Sequence, residues 1–287
     1  MDYYGKLYLP KFNLDSTLNI LKLMIFGLNT MPSHPDTTIV DAKQSYIAKI
    51  LALIFASLLL IHFFIISIIF SWADWVATLV FSMLLIVPAY LSNAGMVLLG
   101  GGKPIDAGKM CKDGRRILGD HKTWNGFIKG PLFIGIPISI GILLLFLILW
   151  PFIQIIPIEG NNLGLYKLYS NVEIYQFYFI GGPFPLGIII ILLRIVFCSY
   201  GAAIGDLVGS FLKRRFDIAS GKPMWLIDQL DFIVFAIFFS CIPYIFFPKY
   251  YYLLDVNILA FILILTPAVS VISNTIAYLI GLKEVPW

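Results

Sequence analysis

Asp206, Ser210 and Lys213 stand at i, i+4 and i+7, which aligns an acid, a hydroxyl and a base on one stripe of a helix. Asp206 lies in an otherwise apolar stretch, where an unpaired carboxylate is costly, so it requires a metal, a base or a water-filled cavity. Asp228 and Asp231 follow, three residues apart at the start of the next apolar run, and can face the same side. Taken singly, either acid could instead compensate a helix dipole. A second polar region runs through Pro-Ala-Tyr-Leu-Ser-Asn-Ala-Gly at 88–95 and Leu-Leu-Gly-Gly-Gly-Lys-Pro at 98–104. It continues as Asp-Gly-Arg-Arg-Ile-Leu-Gly-Asp-His-Lys-Thr-Trp-Asn-Gly-Phe at 113–127. Gly100, Gly101 and Gly102 let backbone approach a ligand and can present amides to an anion, although such a triplet also commonly ends a helix. Lys103, Lys109, Lys112, Arg115, Arg116 and Lys122 surround them, with Pro104 where a Walker loop would need Ser or Thr. Those bases could also serve membrane orientation or anionic headgroups alone. Three carboxylates facing a basic, glycine-rich loop suit Mg²⁺ and a nucleotide polyphosphate.

These groups must be held by membrane-spanning helices. The 287 residues are 60% hydrophobic and 13% charged, about half the charge of an average soluble domain. That balance excludes a soluble globular enzyme and a disordered chain alike. A hydrocarbon core about 30 Å thick needs about 20 apolar residues per helix. Six runs satisfy it: 50–70, 75–98, 131–153, 185–212, 230–247 and 256–280. The expected fold is therefore all-α, a polytopic bundle of about six transmembrane helices. Cys111, Cys198 and Cys241 lack metal-ligand spacing and suggest neither zinc nor a disulfide framework. Residues 1–45 do not read as a secretory signal, and Leu14, Leu18, Leu21, Ile25 and Leu28 recur at the spacing of an interfacial helix. Seventeen Lys and Arg fall in the termini and in segments 99–130 and 213–229, against two (Lys167 and Lys249) in the opposite loops. By the positive-inside rule, both termini and both polar loops are cytoplasmic, in a cell membrane, and 154–184 is an external connector. No internal repeat relates the halves, and only Arg194 and His62 lie deep in spans, which disfavours a lipid transporter. His62 reads as a buried structural histidine.

At these motifs the chain resembles the CDP-archaeol synthases, relatives of the CDP-diacylglycerol synthases. The resemblance covers about 76–287 and rests on Pro-Ala-Tyr-Leu-x-Asn-Ala, Leu-Leu-Gly-Gly-Gly, Asp-Gly-Arg-Arg-x-Leu-Gly-Asp-His-Lys-Thr-Trp, Gly-Asp-Leu-x-Gly-Ser-Phe-x-Lys-Arg-Arg and Leu-x-Asp-Gln-Leu-Asp-Phe. Asn125 and Met96 depart from it, standing where Arg and Pro are usual. It implies a five-helix catalytic domain over 76–287, with 1–75 an N-terminal extension carrying one added span. The implied reaction transfers CMP from CTP to an isoprenoid glycerol-ether lipid phosphate, releasing pyrophosphate. Its implied partners are CTP, that lipid phosphate and membrane lipids, with no nucleic acid. The implied metal is Mg²⁺, held by Asp206 and Asp231 with Asp228 as a third candidate. Lys122, Lys213 and Arg214 would neutralise phosphates, and Ser210 and Asn93 would orient phosphate or metal-bound water. Gly100, Gly101, Gly102, Lys103, Arg115, Arg116, Asp120 and Thr123 complete the expected substrate-binding set. His121 is expected to fix the loop by hydrogen bonding. A CDP-diacylglycerol synthase acting on phosphatidate is the nearest alternative. A CDP-alcohol phosphotransferase is rejected, since its Gly-x-x-x-Asp-x-x-x-Asp is missing.

Overall fold

The computed structural model describes residues 35–169, 185–218, 222–248 and 254–286, with side chains from residue 42 onward. In chain order the helices are α1 (Pro35–Ile69), α2 (Trp72–Leu98), α3 (Trp124–Lys129), α4 (Ile136–Ile153), α5 (Ile155–Leu163), α6 (Leu186–Arg215), α7 (Ile227–Ser240), α8 (Ile242–Phe246) and α9 (Val256–Leu279). A π-helical stretch, Gly130–Gly135, joins α3 to α4. Among the described residues there is no strand, only two isolated bridges in the loop after α2. Six helical stretches are long and apolar enough to cross a membrane, as the hydropathy pattern predicts. The expected interfacial helix through Leu14 and Leu28 lies outside the described residues.

The third helical stretch is longer than the apolar run within it. The apolar run closes at Ile153, and helix resumes at α5 and runs to Leu163. Ile155, Ile156 and Ile158 continue the apolar character, and Pro157 falls in the first turn of α5, where a missing N–H is tolerated.

The described residues divide into two compact units, one within 55–270 and one made of 35–54 with 271–286. In the latter, α9 closes in a turn with Gly281 left-handed, and Lys283 Nζ donates to Asn274 Oδ1 at 3.0 Å. The site lies wholly in residues 55–270. Their core joins Ala77, Phe81, Leu85 and Ala89 of α2 to Cys198 and Ala202 of α6, Ile233 and Ala236 of α7, and Ile258 and Ile262 of α9. Ser71 caps α2, accepting from Asp74 N at 3.1 Å. At the other end of α2 the crossing is tight: a Cβ on Gly95 would lie 2.8 Å from Gly130 O and 2.9 Å from Ile134 Cβ. Backbones that close pack by dispersion, the main attraction left between helices in lipid.

Candidate active site

A ladder of glycines on α6 sets the distance between the two acidic helices. Gly201, Gly205 and Gly209 recur every four residues and therefore share one face. A Cβ on Gly201 would lie 2.7 Å from Phe239 Cβ, and one on Gly205 2.7 Å from Phe232 Cα. A Cβ on Gly209 would overlap the carboxylate of Asp231 itself. The stripe thus brings α7 against α6 and seats Asp231 beside the turn that carries Asp206 and Ser210. Asp231 Oδ1 accepts from Phe232 N at 2.6 Å. Asp228 closes its own turn, Oδ2 accepting from Met224 N at 2.9 Å, and meets Lys213 Nζ at 2.7 Å.

The loop from 99 to 123 delivers the opposing base. Gly101 and Gly102 are left-handed (φ 95° and 82°), which turns the chain sharply off α2. Pro104 then bridges Thr123, and Ile105 N donates to Lys122 O at 2.9 Å, so the loop's two ends run side by side. Thr123 caps α3 by accepting from Gly126 N at 3.2 Å. Inside the loop Asp106 is a buried hub. It takes two hydrogen bonds from Arg116 (2.9 and 3.0 Å), one from Gly108 N and one from Leu118 N. The Arg116 hydrogen bonds are the main reason its carboxyl titrates at about 2, despite the opposing effect of burial. The same pairing raises Arg116 above its usual value. Lys122 Nζ reaches α6, donating to both oxygens of Asp206 at 2.7 and 2.6 Å. Gly119 N donates to Ser210 Oγ at 3.0 Å.

Between loop, α6 and α7 lies a cavity of about 330 Å³, within the usual range for small-molecule sites. Lys122, Asp206, Ser210, Lys213, Arg214, Asp228 and Asp231 all line it, which unites seven sequence-predicted residues from three segments. Gly119, Gly209 and His121 also line it. His121, expected to act by hydrogen bonding within the loop, stands on the cavity wall. Gly209 was overlooked, although the Gly-x-x-x-Gly-x-x-x-Gly spacing was its available signal.

The remaining predicted residues do not line the cavity. Asn93, Gly100, Gly101, Gly102 and Lys103 belong to the end of α2 and the turn that follows it. Arg116 is held by Asp106 and by an ion pair with Asp120. Arg115 donates to Arg215 O at 2.5 Å and lies 3.5 Å from Asp217. Thr123 is buried as a helix cap.

The wall carries three acids facing Lys122, Lys213 and Arg214, with His121 beside them. Three carboxylates offer hard oxygen ligands suited to Mg²⁺. Among the described residues no three His, Cys or carboxylate side chains converge as a preformed cage. Mg²⁺ commonly keeps waters and substrate phosphates in its shell and uses one or two protein carboxylates.

A family model described as CarS-like CDP-archaeol synthase matches residues 75–156 and 164–287. The CDP-archaeol synthase of Thermococcus kodakarensis is 33% identical over 213 residues, covering 74% of this chain and 99% of that protein. The CDP-archaeol synthase of Methanococcus aeolicus is 38% identical over 206 residues, covering 72% and 95%. A solved structure described as an intramembrane enzyme for archaeal membrane lipids biosynthesis is 25% identical, covering 69% of this chain and 92% of its own, with a TM-score of 0.39. The matched residues include every side chain lining the cavity, and the chain belongs to the CDP-archaeol synthase family.

Proposed function

We propose that this protein transfers CMP from CTP to the phosphate of an isoprenoid glycerol-ether lipid, giving a CDP-archaeol-type lipid and pyrophosphate. The observation that carries the reading is the shared wall, in which three carboxylates and three bases from distant segments surround one cavity at the ends of two membrane helices. A lipid phosphate oxygen attacks the α-phosphorus of CTP. The new P–O bond forms as the bond to the β-phosphate bridge breaks, and pyrophosphate leaves with that electron pair. Such transfers require positioning and charge stabilisation rather than covalent help, and the attacking oxygen is already anionic. No general base is needed.

Asp206, Asp228 and Asp231 are the residues that would hold Mg²⁺. When bound, the metal would neutralise the triphosphate and the charge spreading through the transition state. Lys122, Lys213 and Arg214 bind phosphate oxygens from the opposite wall. Ser210, kept in place by Gly119 N, presents its hydroxyl to the same space. His121 is a further donor toward the phosphates. The loops and both termini lie on the cytoplasmic side, where CTP is made, and the lipid phosphate is presented from the adjoining leaflet.

The deciding experiment is purified protein in detergent with radiolabelled CTP, Mg²⁺ and either an ether-linked isoprenoid lipid phosphate or phosphatidate. Labelled CDP-lipid should form from the ether lipid, and chelation should abolish it. Faster labelling of phosphatidate would move the protein to the diacylglycerol branch. No labelling of either lipid would end the proposal.

A further inference from the structure

Arg215, the last residue of α6, does not line the cavity, yet its guanidinium is engaged on both of its terminal nitrogens. Nη1 donates to both oxygens of Asp113 at 2.8 and 2.7 Å. Nη2 donates to the carbonyls of Arg115 and Arg116 at 3.3 and 2.5 Å. The plane lies over Phe211, one turn earlier, 5.0 Å from the ring centroid. A planar fork reading a carboxylate and two backbone carbonyls at once is a job that Lys cannot copy.

The hold is passed on through bonded steps. Asp113, Arg115 and Arg116 form the loop's outer turn, and Arg116 is tied to Asp106. Asp106 adjoins Ile105, whose N–H donates to the carbonyl of Lys122. The loop is therefore fastened to α6 at Asp206, Ser210 and Arg215, points spread over about 13 Å of helix. Two of those fastenings lie inside the cavity, at side chains assigned to metal and phosphate binding. Only Arg215 stands outside it.

We propose that Arg215 is a positioning residue, holding the loop that carries Lys122 in register on α6 so that Lys122 meets the nucleotide's phosphates. This rests on the cytidylyltransferase reading above. Arg215 acts through Lys122 and touches no substrate.

The test reads CTP binding, by displacement of a fluorescent nucleoside triphosphate from full-length protein in detergent, together with steady-state constants. Arg215→Ala should weaken CTP about tenfold, leave the KM for the lipid phosphate within twofold, and speed tryptic cleavage after Lys109 or Lys112. Arg215→Lys should fall between, because it restores one charge and not the fork. In a Lys122→Ala background, Arg215→Ala should add less than twofold. A full tenfold there would mean that Arg215 acts independently of Lys122, and would overturn the proposal. Asp113→Asn leaves Arg215 in place and should weaken CTP about threefold, so the idea is tested even if Arg215→Ala does not fold. Unchanged CTP binding and unchanged loop cleavage would also overturn it. The cleavage assay needs no substrate, so its outcome separates this clamp from the reaction. Wild-type protein that makes no CDP-lipid, with a loop still loosened by Arg215→Ala, would remove the proposed reaction alone.

Discussion

Asp206 and Asp231 reach the cavity by different routes, and that difference makes their removal informative. Asp206 is bridged at short range by Lys122, whereas Asp231 is seated against Gly209 and capped by Phe232 N. Asp206→Asn and Asp231→Asn preserve shape while deleting the charge that a hard cation requires. Each should lower turnover at least about a hundredfold, the scale of losing one main transition-state stabiliser. Lys167→Ala, in the loop after α5 and remote in sequence from every cavity residue, should leave turnover unchanged. Activity within threefold of wild type in both Asn variants would retire the metal assignment. Asp106 supports a different prediction. Its carboxyl is held at about 2 in the folded protein and titrates near 4 when unfolded. A depressed folded value stabilises above the unfolded pKa, so the contribution is complete above about pH 4 and fades as pH falls toward 2. It amounts to about 2 kcal/mol. Acid unfolding of Asp106→Asn, followed by circular dichroism, should therefore show a flatter loss of stability between pH 4 and pH 2 than wild type.

The pairing of α6 with α7 works as one device at the scale of elements. Small residues every fourth position let the helices meet backbone to backbone, and the same face seats Asp231. Gly209→Ala should therefore disturb the carboxylate more than the fold. Its Cβ would occupy space now held by Asp231, and a turnover loss of tenfold or more is expected with little change in thermal midpoint. Gly201→Leu makes the contrast: it pries the helices apart at Phe235 and Phe239, away from the acids, and should lower thermal stability first. A Gly209→Ala enzyme with wild-type turnover would show that the seat of Asp231 is adjustable. The loop relies on a capped end as well, and Thr123→Val should cost about 1 kcal/mol of stability by orphaning Gly126 N.

For the whole molecule, the arrangement of spans carries the strongest consequence. Lys109 lies in the loop after α2, and Asn162 lies near the end of α5, at the far end of the third span. Cysteines placed there, in a background lacking Cys111, Cys198 and Cys241, should react with an impermeant reagent from opposite sides of sealed vesicles. Lys109→Cys should label from the cytoplasmic face and Asn162→Cys from the outer face. Labelling of both from one side would break the topology and the placement of the site with it.

Hydropathy over 20-residue windows is a local quantity, and it carried most of the architecture. The six spans and the family were legible in the sequence. The continuation of that third helical stretch to Leu163 was not, because Gln154, Glu159, Asn161 and Asn162 interrupt the apolar run, whereas helix geometry tolerates them and permits a proline in a first turn. Only tertiary structure could decide which base meets which acid. Lys122 and Asp206 are 84 residues apart, and their pairing depends on where the loop is fastened to α6. Arg115 and Arg116 look like phosphate ligands in a run of basic residues, but the folded loop uses them for Asp106, Asp120 and Asp217. Arg215 looks interchangeable with its neighbour Arg214, until the helix turn points one into the cavity and the other onto Asp113. Composition and spacing can name charged groups, but the approach distance of two helices, set by glycines that present no side chain, selects their partners.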